Sequence, residues 1–252
     1  MTNKPYSVLD GPRADLEIVT HTPPAEDKVS IIIVHRDRPE HLNICLQSVA
    51  VCSSNNNYEL VVVDNASVRK ESHDYLDDLQ SSGDCKVVRN QENLYWAKAA
   101  NIGAKAASKD SRYFVFLHDD TVILNPSWLD LLINSSDAEK SGHVGVTINK
   151  YSWNGQDFQY IEEWCMLVTR ECWEDCGPFN EELPVIGSPF LFTFATEYGK
   201  HRPQATQVPI AHHYQNFSLD VNEYDRAQLD AREKLPKIMH KMAQRAGRRV
   251  AA

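Results

Sequence analysis

The sequence predicts an α/β fold with a mostly parallel central sheet flanked by helices, and three observations predict it. Four short β-branched or aromatic runs recur in the first half, within VSIIIV, ELVVVD, CKVVRN and YFVFL. Runs of that kind make strands buried on both faces. Helix-length segments with one apolar face separate them, and strictly alternating strands and helices give parallel strands joined by crossover helices. Each run also stops on polar residues, and ligands of such sheets sit where the carboxyl ends of the strands meet their loops.

The first strand is read at Val29 to Val34, after a polar, proline-containing extension over residues 1–27. In the following HRDRPEHLNICLQSVAVC, Pro39 suits a first helical turn, and Leu42, Cys45, Leu46 and Val49 share one face. The second unit is ELVVVDNAS with a polar helix through Tyr75, Leu76 and Leu79. The third is CKVVRN with an alanine-rich helix from about Trp96 to Ala107, and the fourth strand is Tyr113 to Leu117. A capped helix is expected from Pro126 to Asn134. Beyond it the pattern loosens. Strand-like pieces at Val144 to Ile148 and Trp164 to Val168, and a short helix RECWEDCG closed by Gly177, suggest a less regular second half.

A chain of 252 residues with 42% hydrophobic and 24% charged residues has ample material for a soluble globular core. Its net charge of −9 argues against wholesale nucleic acid binding, which needs Lys and Arg against phosphates. Six scattered cysteines with no CxxC pair suggest neither a disulfide framework nor a zinc ribbon, and fit reduced thiols. With no apolar run near the ~20 residues that span a bilayer and no apolar signal core, the expected location is cytoplasmic. From Ala231 onward, seven Lys or Arg face one acid, Glu233. That tail carries +6 against −9 for the whole chain, hence −15 elsewhere. It can lie against the inner face of an anionic membrane or a polyanionic acceptor, or it can be a solvated tail helped towards disorder by Pro236.

The fourth strand ends on His118, Asp119 and Asp120. Two adjacent carboxylates at the mouth of a buried strand repel strongly and ask for a cation. Mg2+ and Mn2+ favour such oxygens and often bridge them to a diphosphate; the alternative is an ordinary turn or helix cap. Asp64, closing the second strand beside Asn65, can accept hydrogen bonds from a ribose or base, or can simply cap its turn. Neither a G-x-G-x-x-G nor a P-loop pattern follows any strand, so a dinucleotide-dependent dehydrogenase or a P-loop NTPase has little support. Cys172 and Cys176, one helical turn apart, could hold a metal, with a pair of buried thiols as the commoner outcome. Trp153, Trp164 and Trp173 could stack on a sugar or pack in the core.

VSIIIVHRDRPEHLNICLQSV, ELVVVDNAS, NQENLYWAKAANIGAKAA and YFVFLHDDTVILNPSWL occur in the order of the nucleotide-binding half of family 2 glycosyltransferases, which have the GT-A fold. The chain resembles that family closely from Val29 to Leu131 and more loosely to about Ser218. The resemblance implies a GT-A domain over 28–218, with a nucleotide-binding half (28–125) and an acceptor half (126–218), ahead of a basic helical tail (219–252). It implies transfer, with inversion, from a nucleotide-sugar donor, chiefly a UDP-sugar, to a glycan or other hydroxyl acceptor, with Mn2+ or Mg2+ as cofactor. Asp64, Asn65 and His35 would meet the nucleoside, and Lys98 and Asn101 would pass close to base and sugar. HDD would stand for the family's Asp-x-Asp motif, with Asp119 at the donor, Asp120 as metal ligand, and His118 in place of the first acid. A late histidine, His212 or His213, would complete the metal site.

The resemblance also exposes a gap. The family's usual Glu-Asp pair aligns with Gly187-Ser188, so the general base is sought at Glu181 or Glu182, at Glu197, or at Glu162 or Glu163. The gap motivates a second expectation, a silent relative that binds a nucleotide sugar or glycan. A nucleotidyltransferase is a third, less favoured for want of a glycine-rich basic loop.

Overall fold

A computed structural model describes residues 27–53, 56–139, 141–153, 156–198, 200–212 and 221–245. The first half alternates as its sequence requires. Strand β1 (Lys28–His35) leads to α1 (Pro39–Cys52), β2 (Tyr58–Asp64) to α2 (Lys70–Ser82), and β3 (Lys86–Arg89) to α3 (Tyr95–Ala106). Then β4 (Ser111–His118) turns through Asp119 and Asp120 into the short β5 (Thr121–Ile123) and α4 (Trp128–Glu139). That helix starts two residues later and runs five residues further than expected. The second half contains β6 (His143–Gly145), β7 (Ile148–Trp153), β8 (Gln156–Ile161), β9 (Cys165–Thr169), α5 (Arg170–Cys176), α6 (Ser188–Tyr198), β10 (Pro203–Ala205), β11 (Ile210–His212) and α7 (Val221–Arg245).

Among the described residues the main sheet has seven strands in the order β10-β6-β9-β4-β1-β2-β3. Neighbours β1, β2, β3 and β4 are parallel, while β9 runs antiparallel to both β4 and β6. The chain therefore winds outward from β1 through β2 to β3, then returns to place β4 on the other side of β1. That reversal leaves a crevice between the carboxyl ends of β1 and β4, the place where open α/β sheets hold ligands.

Successive strand residues point to opposite faces, and the core divides accordingly. Ile31, Ile33, Val62, Tyr113, Val115 and Leu117 pack with α1 and α4 on one face. Ile32, Val61, Val63, Phe114 and Phe116 pack with α3 and α5 on the other. Gly103 sets the closeness of α3, since a Cβ there would stand 2.4 Å from Ile32 Cγ2 and 3.0 Å from Val63 Cγ2.

Three features depart from the expectation. The single strand sought at Val144 to Ile148 is two strands, because β6 stops at Gly145 and β7 begins at Ile148 to pair with β8 in a separate hairpin. The aromatic run after Gly187 forms the helix α6. The described part of the basic tail is also no loose appendage: α7 accommodates Pro236 and buries Ala231, Leu235 and Met239 in a cluster with Phe190, Leu191 and Phe194 of α6. Arg232 lines the cleft described below, and Lys234 and Lys237 pair with Asp230 and Glu233 one turn away. Among the described residues, two of the tail cations are thus paired within the helix. No described helix is long and apolar enough to cross a membrane. All six cysteines are free.

Candidate active site

A cleft of about 640 Å³ opens at the β1–β4 crevice. One wall comes from the ends of the parallel strands, with His35, Asn65, His118, Asp119 and Asp120. The rest of the lining includes Tyr151 and Tyr160 of the β7–β8 hairpin, Glu162 and Glu163, the Gly187 turn, His212 and Arg232.

Register puts the first wall together. His35 and Asp64 are paired residues of β1 and β2, and Val34 of β1 pairs with His118 of β4. His35, almost fully buried, donates from Nδ1 to Asp119 Oδ2 at 2.7 Å. Its Nε2 is buried without a hydrogen-bond partner. Asn65 knits the neighbouring loops: it donates to Asn93 Oδ1 at 2.8 Å and accepts from Leu94 N and from Asn90 Nδ2. The Asp64 carboxylate turns the other way, accepting from Ser67 N at 2.9 Å, with Arg89 4.0 Å away. It caps its turn and is not among the residues lining the cleft.

Pairing of β11 with β5 sets His212 against Thr121, directly after the two aspartates. His212 Nε2 stands 3.2 Å from Asp120 Oδ1, and His118 Nδ1 stands 4.0 Å from the same oxygen. One ligand atom from each of His118, Asp120 and His212 falls within 4.8 Å of the others. Trp164 lies flat on His212, with centroids 4.8 Å apart and planes 5° apart. Desolvation pushes the His118 imidazole down to about 4, so it is neutral at pH 7 as a ligand must be. Burial works to raise the Asp120 carboxyl, but the His212 and His118 imidazoles and a backbone amide outweigh it and hold it below the usual carboxylate range. His118 Nε2 is buried with no hydrogen-bond partner. A convergent His-Asp-His set carrying such an atom fits a divalent cation.

The acids sort themselves clearly. Glu162 and Glu163 line the cleft, and Glu162 accepts from Trp164 Nε1 at 3.1 Å and from Asn149. Desolvation in the cleft wall, reinforced by Glu162, raises the Glu163 carboxyl to about 7. Glu181 and Glu182 are exposed and lie away from the cleft, because Glu181 accepts from Asn101 Nδ2 at 3.0 Å on the outer side of α3. Asn101 also exchanges hydrogen bonds with the Phe179 backbone, so it braces α3, and Lys98 is exposed. Neither Lys98 nor Asn101 lines the cleft. Glu197 is exposed on α6. Gly187, with φ of 95°, lines the cleft while Ser188 is buried beside it. His213 lies outside the described residues, as does the side chain of Trp153. Trp173 packs in the core against Phe114, Phe116 and Phe179.

Sequence reasoning did not find Arg38, Tyr95, Tyr151, Tyr160 or Arg232 in this cleft. Only Arg232 left a trace, through the four-residue spacing of Ala231, Leu235 and Met239 that marks a buried helix face.

Residues 30–196 match the family described as Glycosyl transferase family 2. The chain is 26% identical over 196 residues to the O-antigen biosynthesis protein RfbC of Myxococcus xanthus, covering 64% of this chain and 15% of that protein. It is 28% identical over 195 residues to the uncharacterized protein y4gI of Sinorhizobium fredii, covering 64% of this chain and 21% of that one. It thus spans about a fifth or less of the length of these curated relatives. Among solved structures it resembles a Pyrobaculum calidifontis mannosyltransferase in complex with GDP-Man and Mn2+ (TM-score 0.57, 15% identity, 71% of this chain and 54% of that one). It also resembles GalNAc-T7 with UDP, GalNAc and Mn2+ (TM-score 0.60, 16% identity, 74% and 44%). At such identities the likeness establishes the GT-A type of fold.

Proposed function

Since the chain belongs to glycosyl transferase family 2, a family of glycosyltransferases, we propose that it moves a sugar from a nucleotide diphosphate donor, a UDP-sugar, to a hydroxyl acceptor with inversion and with a divalent cation. The observation that carries this reading is the convergence of His118, Asp120 and His212 at the β1–β4 crevice, where the two winding directions of the sheet diverge. Neighbouring structures carry GDP-Man and Mn2+, or UDP and Mn2+, in proteins of the same fold. Two imidazoles and one carboxylate make a softer donor set than an all-carboxylate site, which favours Mn2+ over Mg2+. When bound, the cation supplies positive charge to the departing diphosphate.

The chain's own residues do the rest. Asp119, fixed by His35, faces the donor. Arg36, Arg38 and Arg232 line the cleft and add positive charge towards the diphosphate. Glu163 is the general base. Its carboxylate takes the proton of the acceptor hydroxyl as that oxygen bonds to the anomeric carbon. The bond from that carbon to the diphosphate breaks, and its electron pair leaves with the nucleotide. Attack from the face opposite the leaving group inverts the centre. Support for Glu163 comes from its place in the cleft wall, where Glu181 and Glu182 have none.

Calorimetry of UDP binding with and without Mn2+, with GDP as comparator, tests the donor site. Metal-dependent UDP affinity that Asp120→Ala abolishes is expected. Indifference to both nucleotides under both conditions would overturn the reading.

A further inference from the structure

A second cluster of ligand atoms lies at the opposite end of the sheet. Thr169, the last residue of β9, pairs with Tyr113 near the start of β4, so α5 begins at the edge remote from His118. Cys172 and Cys176, one turn apart on α5, meet His201, which precedes β10. One atom from each falls within 4.8 Å of the others. Cys172 is fully buried, His201 is 6% exposed and Cys176 is half-buried.

Two further observations point to a ligand. His201 Nε2 donates to Asp175 Oδ2 at 2.8 Å, an arrangement that fixes the ring and leaves Nδ1 as its free electron pair. A Cβ at Gly142 would stand 2.6 Å from His201 Nδ1 and 2.5 Å from Cys172 Cβ, so Nδ1 lies beside the Cys172 side chain, and the glycine lets both pack this close. Gly142 is itself held there, its carbonyl accepting from Thr169 N at 2.9 Å.

We propose that Cys172, Cys176 and His201 bind a zinc ion, with Asp175 as the carboxylate that orients His201 and water in the fourth position. Two thiolates and an imidazole are the donors Zn2+ prefers, in tetrahedral array. The ion ties α5 to the connection that delivers edge strand β10, and it stands apart from the His-Asp-His cluster, which contains no sulfur.

Cobalt separates the two sites. Added to the full chain, Co2+ should give the near-ultraviolet thiolate charge-transfer absorption of a cysteine-ligated ion. The band should persist in Asp120→Ala and disappear in Cys176→Ser, whose half-exposed position tolerates the change. Zinc should then displace the cobalt and protect both thiols from Ellman's reagent. Asp175→Asn should lower zinc affinity about 10- to 100-fold while leaving the ligands in place. Absence of the cobalt band in the folded wild-type chain, together with thiol reactivity indifferent to zinc, would overturn the site. Failure of UDP binding with the band intact would count against the proposed donor site alone.

Discussion

The His212 imidazole lies flat against the Trp164 indole, 4.8 Å between centroids and 5° between planes. The stack holds the ring that β11 brings to Asp120, and Trp164 is itself fixed through Nε1 to Glu162. Trp164→Leu keeps apolar bulk but removes the flat face and the hydrogen bond. Mn2+ affinity, measured by calorimetry in the presence of UDP, should fall about tenfold or more, the usual size of a supporting-shell loss. Trp164→Phe should retain most of it.

His118 occupies the first position of the HDD turn, and its replacement tests the donor set. His118→Asp exchanges a neutral imidazole for a carboxylate beside Asp120 and adds a negative charge. Harder, more anionic ligands suit Mg2+. The ratio of turnover in Mg2+ to turnover in Mn2+ should rise. An unchanged ratio would show that His118 does not touch the ion.

Glu163→Gln keeps shape and removes the proposed base. Turnover should drop by roughly 10²–10⁴, with metal-dependent UDP affinity unchanged. Glu181→Gln and Glu182→Gln, at exposed positions away from the cleft, should leave turnover intact. If one of these two proves as damaging as Glu163→Gln, the base lies elsewhere.

His143 offers a stability test. It is fully buried, with Thr196 Oγ1 and Met166 S each 3.4 Å away, and burial pushes its imidazole down to about 3. The unfolded chain binds this proton below about pH 6.5 and the folded chain refuses it. Its contribution is therefore complete above that pH and is lost as pH falls towards 3. The slope approaches ~1.4 kcal/mol per pH unit. Urea denaturation at about pH 7.5 and about pH 5 should show a smaller loss for His143→Gln than for the wild type.

Gly103→Ala would ordinarily stabilise a helix by ~0.5–1 kcal/mol. Here the added methyl meets Ile32 Cγ2 at 2.4 Å inside a packed sheet face. Overpacking of this kind costs ~1–3 kcal/mol, so the urea midpoint should fall.

The first half of the chain was legible because its signals are local. Alternating strands and helices declare a parallel sheet, and strands such as VSIIIV end on the residues that face the crevice. HDD stood out for the same reason, as like charges at a strand end, and the fold sets His35 against Asp119 and His212 beside Asp120. The second half was not. The run SPFLFTFATEY is apolar nearly all round, so it shows no helical face; only packing against α7 and the β7–β8 hairpin fixes it as a helix. The choice among the acids was equally long-range. Glu163 and Glu181 have the same side chain, and only the way the chain folds back over β4 sets one in the cleft and the other on the outer side of α3. Asp64 and Asn101 show the opposite limit, since residues at the expected positions spend their polar groups on a turn and a brace.

The pairing of β11 with β5 also has a bearing on biosynthesis. Two of the three clustered residues, His118 and Asp120, leave the ribosome almost together, whereas His212 follows 92 positions after Asp120. A nascent chain can therefore complete β1 to β4, and with them one wall of the cleft, while the cluster at Asp120 still lacks its second imidazole. Assembly of the three groups thus waits for β11, and fragments released before Ile210 would carry the main sheet with His118 and Asp120 but without His212.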